Sequence, residues 1–213
     1  MNKEVVVIGG GAAGMEVAGQ LADAGFIVSL VEKENRTGGH LNNWYKLFPD
    51  RRDSSEVKKY LDNKVASKDI RILTNSSIVK LLRKKGNISL FTHEGAELTA
   101  DAVVVATGFD LFNSARKEEY GYGIYDNVIS SADLEEMFRN GKIVLLNGKS
   151  PSTIGIVHCV GSRDEKVGNY YCSKLCCVTA VKQAIEIREH LPESKVFCFY
   201  MDMRMGGAHY EEL

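Results

Sequence analysis

No apolar run in this sequence approaches the ~20 residues that a bilayer-spanning helix needs, and Met1 to Glu4 lead into an apolar strand without a charged-then-apolar leader. The expectation is a cytoplasmic protein with no direct membrane insertion. Net charge is just as scarce, since 27 basic against 28 acidic side chains leave −1. Bulk electrostatics therefore calls for neither nucleic acid nor an anionic surface, and partners have to be argued locally. Repeats and low-complexity tracts are missing too. Cysteine does not occur before Cys159, and four of the five, Cys159, Cys172, Cys176 and Cys177, fall within nineteen consecutive positions. Without a secretion signal, such thiols are expected to be reduced, metal-bound or redox-active rather than a disulfide framework. The histidines His40, His93, His158, His190 and His209 show no metal-ligand spacing, so a surface or core role is the default for each.

What is present begins with glycine. Gly9-Gly10-Gly11-Ala12-Ala13-Gly14 follows the apolar run Val5 to Ile8 and opens a helical pattern, giving a strand, a glycine turn and a helix. Glycines at 9, 11 and 14 suit a tight turn, close approach of a pyrophosphate and close packing of helix on strand, and amides at the helix start face the phosphates. A second apolar strand, Ile27 to Val31, ends in Glu32, eighteen positions after Gly14, where a carboxylate accepts from ribose hydroxyls. The bland alternative is a solvated strand end. After Lys33 the polar loop reaches Gly38-Gly39-His40-Leu41, where paired glycines free the backbone beside a bound cofactor.

The first helix is expected over about Gly11 to Ala24, and Ser54 or Ser55 caps a helix through Val57, Tyr60, Leu61 and Val65. Strands are predicted at Ile70 to Leu73, Ser77 to Leu82, Ile88 to Thr92 and Leu98 to Val105, with Lys84 to Asn87 as one of the turns. The last ends in Ala102-Val103-Val104-Val105, nearly continuous apolar sequence as for a strand covered on both faces, and places Ala106, Thr107 and Gly108 at its carboxyl end, where open α/β sheets bind ligands. Ser130 or Ser131 caps a short helix through Phe138, and the turn formers Asn147 to Ser152 mark a linker.

A second βαβ unit follows: strand Thr153 to Val160, loop Gly161 to Tyr171, helix Ser173 to His190 and strand Lys195 to Tyr200. Cysteines stand where a nucleotide-binding unit would carry its glycine turn. Three chemistries fit. Four thiolates hold an iron-sulfur cluster; adjacent Cys176 and Cys177 point about 100° apart on a helix, so both ligate only over a helix end or a distorted first turn. A redox-active dithiol beside a flavin is the second, and zinc held by four thiolates the third. Ordinary burial of small residues is the remaining alternative, and it suits Cys198, inside the apolar run Val196 to Tyr200. Arg163 and Lys174 are candidates to offset thiolate charge, and Trp44 and Tyr45 to line a flavin pocket, against the commoner roles of solvated cation and plain packing.

Together with Ala106-Thr107-Gly108-Phe109-Asp110 and Tyr120-Gly121-Tyr122-Gly123, the segment Cys159-Val160-Gly161-Ser162-Arg163-Asp164 to Cys172-Ser173-Lys174-Leu175-Cys176-Cys177 resembles the heterodisulfide reductase A-subunit family over nearly the whole chain. It is also similar to the flavoprotein subunit of quinone-interacting membrane-bound oxidoreductases. The resemblance implies an α/β fold: a Rossmann-like FAD-binding domain of the two-dinucleotide-binding flavoprotein type over 1–147, then an incomplete βαβ domain with the cysteine loop over 148–213. It implies FAD on Gly9, Gly11, Ala12, Ala13, Gly14, Glu32, Lys33, Gly38, Gly39, His40, Leu41, Ala106, Thr107 and Gly108, and a 4Fe-4S cluster on Cys159, Cys172, Cys176 and Cys177. The implied function is electron transfer from flavin through the cluster to partner subunits that reduce the coenzyme M–coenzyme B disulfide or an analogous acceptor. Partners are then B- and C-like subunits and hydrogenase or ferredoxin-type donors. Two family features have no counterpart here: the late segment with a Gly-Asp flavin contact, and the ferredoxin-type cysteine runs. The expectation is a fragment, a split subunit completed by another chain, or a degenerate copy. The alternatives are a flavin-dependent thiol-disulfide oxidoreductase, a pyridine-nucleotide disulfide reductase, against which the missing second glycine turn counts, and a truncated non-catalytic assembly subunit.

Overall fold

The computed structural model describes residues 3–84, 86–207 and 210. Met1 and His209, named above, and Lys85 of the expected turn lie outside the described residues. Two compact units emerge, Met1–Asn43 with Ser54–Phe109, and Trp44–Asp53 with Asp110–Leu213. They part at 109/110, with residues 44–53 joining the later unit. The turn formers around 147 close a local turn, where the Gly148 amide donates to the Leu145 carbonyl and the Leu145 amide to the Lys149 carbonyl.

Unit one contains β1 (Glu4–Ile8), α1 (Ala12–Asp23), β2 (Ile27–Val31), α2 (Ser54–Ala66), β3 (Ile70–Leu73), β4 (Ile78–Lys84), β5 (Asn87–Thr92), β6 (Glu97–Ala100) and β7 (Ala102–Val105). A four-stranded parallel sheet runs in the order β3-β2-β1-β7. Val5, Val6 and Val7 of its inner strand β1 are all buried, as suits a β-branched run covered on both faces. An antiparallel sheet, β4-β5-β6, packs on it through Leu90 and Leu98 against Val6 and Val31. In α2, Leu61 and Val65 are buried but Tyr60 is 53% exposed, so Tyr60 is not on the core face.

The expected single strand Leu98 to Val105 is two. At Asp101 the chain leaves one sheet for the other, held by hydrogen bonds in both directions with the Glu4 backbone. Alternating burial in β6 and an edge position for β7 follow, and Val105 is 69% exposed rather than covered on both faces. A run of valines cannot reveal by itself that it lies at a sheet edge.

Unit two contains α3 (Ser131–Arg139), β8 (Thr153–Val157), α4 (Cys176–His190) and β9 (Lys195–Phe199). Ser130 caps α3 in a reciprocal box with Asp133, the two-donor satisfaction that Ser-x-x-acid signals. Strands β8 and β9 pair in parallel, and Leu134, Phe138, Ile143 and Ile187 form the local core. Tyr45 stacks on Phe138 at 5.8 Å and donates its backbone N–H to Glu135, so it packs within this unit; Trp44 falls in the same unit. Cys198 alternates with exposed neighbours in β9 and is half-buried, not enclosed as expected.

Candidate functional site

Strand order turns back at β1, where the chain goes first to β2 and β3 on one side and later to β7 on the other. Ligands of open α/β sheets bind at the carboxyl ends beside such a reversal. The glycine turn sits there. The Gly9 amide donates to the Val31 carbonyl at 2.7 Å, and Ala106 to Ile8 at 2.8 Å, tying the turn to the ends of both neighbouring strands. Gly9 has φ +106°, and a Cβ there would stand 2.3 Å from the Ala106 carbonyl oxygen, so only glycine fits. A Cβ at Gly14 would fall 1.8 Å from the Gly9 carbonyl oxygen, which is how α1 comes so close to the turn.

Gly11 is different. A Cβ there would meet no described atom within 4 Å, and no side chain caps α1 at this residue. The first amides of a twelve-residue helix thus face an open cradle, which fits a pyrophosphate. Glu32 borders it and is 6% exposed, not a solvated strand end. Its carboxylate accepts from the amides of Gly10 at 2.6 Å and Glu34 at 2.9 Å, which fix its orientation and leave lone pairs for hydroxyl donors. The Gly38 amide donates to the Gly10 carbonyl at 2.7 Å, bringing the second glycine pair against the turn. His40 stacks on Phe109 with centroids 4.6 Å apart and bonds its carbonyl at 2.9 Å, joining this loop to the segment after Ala106, Thr107 and Gly108. The glycine turn, Glu32, Gly38 and Ala106 are thereby linked at the carboxyl ends of the strands.

The cysteine loop of unit two folds back on itself. The Arg163 amide donates to the Tyr171 carbonyl, Asp164 pairs with Asn169, and the Ser162 hydroxyl accepts from the Ser173 amide at 2.9 Å, so Cys172 returns toward the end of β8. Cys159, Arg163 and Lys174 all have φ between 55° and 60°, a strained conformation for side-chain-bearing residues and one that clusters at functional sites. That backbone shortens both neighbouring elements. The strand expected to Val160 ends at Val157, and the helix expected from Ser173 begins at Cys176, leaving Cys172 in the loop.

Cys176 and Cys177 occupy the first turn of α4, over its end, where adjacent residues can ligate together. The sulfurs of Cys159 and Cys176 are 3.6 Å apart. Burial pushes the Cys159 thiol up to about 11 and also raises that of Cys177. For Cys176 burial acts in the same direction, but hydrogen bonds from the Cys159 backbone and thiol and from Ser173 outweigh it and bring the thiol below its ordinary value. Thiolate character therefore gathers on Cys176. The Cys172 sulfur accepts from the Lys174 amide at 3.3 Å. Arg163 is ion-paired to Asp202 rather than solvated.

Two features here have no counterpart in the sequence pattern. Lys117 is buried between Glu119 at 2.7 Å and Asp164 at 2.6 Å, anchoring the loop, and hydrogen bonding to Lys117 holds Glu119 down at about 2. The other is His158, 5% exposed and opening with Cys159 on a cleft of about 410 Å³. One of its ring nitrogens lies within 4.8 Å of the Cys176 and Cys177 sulfurs, which are also within 4.8 Å of each other. Burial lowers its pKa, favouring neutral imidazole. Its adjacency to Cys159 was the available signal; spacing patterns missed it because its partners come from another element.

A glycine turn at the reversal of a parallel sheet, with a buried carboxylate on the next strand, defines a dinucleotide-binding α/β fold of the flavoprotein oxidoreductase type. Residues 1–129 match the pyridine nucleotide-disulphide oxidoreductase family, and the chain belongs to that family. Over 99% of its length it is 28% identical to the A subunit of the ferredoxin/F420H2-dependent CoB-CoM heterodisulfide reductase of Methanosarcina acetivorans. It is 29% identical over its whole length to the iron-sulfur A subunit of the CoB–CoM heterodisulfide reductase of Methanocaldococcus jannaschii. A shorter match, 46% identical across 52% of this chain, is to 18% of the A subunit of the H2/formate:CoB-CoM heterodisulfide, ferredoxin reductase of Methanococcus maripaludis. The chain spans only 38% and 45% of the first two relatives, and each matched stretch is 298 residues long against 213 here. Among solved structures, a ferredoxin reductase from Rhodopseudomonas palustris overlaps 50% of this chain and 24% of its own, at 25% identity and a TM-score of 0.39, too low for the overlay to carry weight. No described helix is long and apolar enough to cross a membrane.

Proposed function

We propose that the chain is a flavin and iron-sulfur electron-transfer subunit of a heterodisulfide-reductase-like oxidoreductase. The carrying observation is the open face of Gly11 at the uncapped start of α1, with buried Glu32 beside it. Gly9, Gly11, Ala12, Ala13 and Gly14 would hold the pyrophosphate of FAD, Glu32 and Lys33 the ribose side, and Gly38, Gly39, His40, Leu41, Ala106, Thr107 and Gly108 the remaining wall. Cys159, Cys172, Cys176 and Cys177 would hold a 4Fe-4S cluster. When bound, flavin exchanges an electron pair for single electrons and the cluster carries the single electrons. The chain's own residues bind and orient: backbone amides meet phosphate charge, Glu32 accepts from hydroxyls, and the strained loop presents sulfur over the end of α4.

This division of labour follows 1–147 for flavin and 148–213 for sulfur. The relatives are named as subunits, and in the same way this chain would work beside B- and C-like subunits, a hydrogenase or ferredoxin-type donor, and a chain completing the flavin site, within the cytoplasm. The coenzyme M–coenzyme B disulfide or an analogous compound would be reduced on a partner.

Anaerobic purification and reconstitution with FAD, iron and sulfide test the reading. A bound flavin band and about four irons per chain are expected; a colourless, iron-free product would overturn it in favour of a non-catalytic assembly subunit. The 3.6 Å approach of Cys159 and Cys176 favours a second reading, a flavin-dependent thiol-disulfide oxidoreductase. It predicts that mild oxidation of the iron-free chain consumes that pair of thiols and that reduced flavin restores them.

A further inference from the structure

The imidazole of His158 has no role in the four-cysteine reading, yet the fold buries it. Neither ring nitrogen has a hydrogen-bond partner among the described residues, and the side chain is 5% exposed. An imidazole always carries at least one N–H, and leaving such a group buried and unpaired costs about 1–3 kcal/mol. Most buried polar groups in folded proteins are satisfied, so this one, beside a cluster of thiols, points to a partner that the polypeptide does not supply.

Its surroundings say which. A ring nitrogen of His158 and the sulfurs of Cys176 and Cys177 lie within 4.8 Å of one another. The Cys159 sulfur stands 3.6 Å from that of Cys176. Two sulfurs bound to one tetrahedral zinc ion, each at ~2.3 Å, are ~3.8 Å apart. Thiolates of a four-iron cluster each bind a different corner and point away from one another, so they stand farther apart than two ligands of one ion. The 3.6 Å spacing of the metal-free thiols, which is also that of a hydrogen bond between them, is short enough for both to bind a single ion.

We propose that His158, Cys176 and Cys177 hold a single thiophilic divalent cation of the zinc class, with Cys159, whose sulfur adjoins that of Cys176, as the fourth ligand. Each ligating thiol gives its proton to solvent, neutral imidazole lends a lone pair, and no electron moves. The ligand set differs from that of the cluster by exchanging Cys172 for His158. Because Cys159, Cys176 and Cys177 are shared, ion and cluster exclude one another, and the ion belongs to the cluster-free chain.

The full chain, prepared iron-free under anaerobic conditions, is titrated with Co(II) and then Zn(II). One ion per chain is expected, with thiolate-to-cobalt charge transfer and tetrahedral d–d bands. X-ray absorption of the zinc-loaded wild type should show nitrogen at ~2.0–2.1 Å beside sulfur at ~2.3 Å. His158→Gln should weaken zinc binding by more than the roughly tenfold that even an outer-shell loss costs, while Cys172→Ser leaves it unchanged. A wild-type spectrum of sulfur alone, affinity lost with Cys172→Ser but kept with His158→Gln, or no uptake of either ion would overturn the proposal. The wild-type spectrum decides even where a variant misfolds. No iron or flavin enters these measurements, so their outcome is separate from that of reconstitution.

Discussion

Adding one methyl group at Gly11 separates binding from folding. The residue has φ −74° and ψ −173°, ordinary for alanine, and its Cβ would meet no described atom within 4 Å. Alanine is a poorer N-cap than glycine, so Gly11→Ala should cost about half a kcal/mol of stability. The methyl group would instead fill the cradle in front of the α1 amides. Hydrogen bonds to a charged group contribute ~1.5–3 kcal/mol each, so losing one lowers FAD affinity roughly 10- to 100-fold. Urea unfolding without flavin gives the first quantity, and quenching of flavin fluorescence during titration gives the second. An alanine variant that binds FAD as tightly as the wild type would refute the assignment of this space to the pyrophosphate. A variant destabilised by more than about 2 kcal/mol would refute the claim that the space is open, since overpacking costs of that size mark a filled one.

Gly14→Ala should behave in the opposite way, losing about 1–3 kcal/mol before any ligand is added, because its Cβ would fall 1.8 Å from a backbone oxygen that no rotamer can move; equal unfolding midpoints with the wild type would contradict this. Glu186 is fully buried, neither carboxylate oxygen has a hydrogen-bond partner among the described residues, and Lys182 stands 3.6 Å away. Burial raises its pKa from 4.5 to about 7, so below 4.5 folded and unfolded chains are both protonated, and between the two values only the unfolded chain has ionised. Stability from this group is therefore lost as pH rises through that window, about 3 kcal/mol in all. Glu186→Gln should remove the loss, and parallel urea stabilities of variant and wild type at pH 5 and 8 would exclude it. With its thiol below and those of Cys159 and Cys177 above the ordinary value, Cys176 should be alkylated before either in the iron-free chain. Peptide mass spectrometry reads the order, and earlier labelling of Cys159 would reverse the electrostatic picture.

Local chemistry wrote much of this protein directly into its sequence. The glycines at 9, 11 and 14, Glu32 at the end of an apolar strand, and the serine cap before α3 are legible because each satisfies a nearby backbone requirement within one turn or one βα step. The cysteine cluster was legible as chemistry, four thiols close together in the chain. Tertiary structure decided what depends on packing between distant segments: that Leu98 to Val105 divides at Asp101 between two sheets, that β7 is an edge, and that residues 44–53 pack with the later unit. It also decided that His158 faces the sulfurs of α4. A periodic pattern states which residues avoid water, but not which distant surface excludes it, and both the burial of an imidazole and the approach of its partners arise from that second fact.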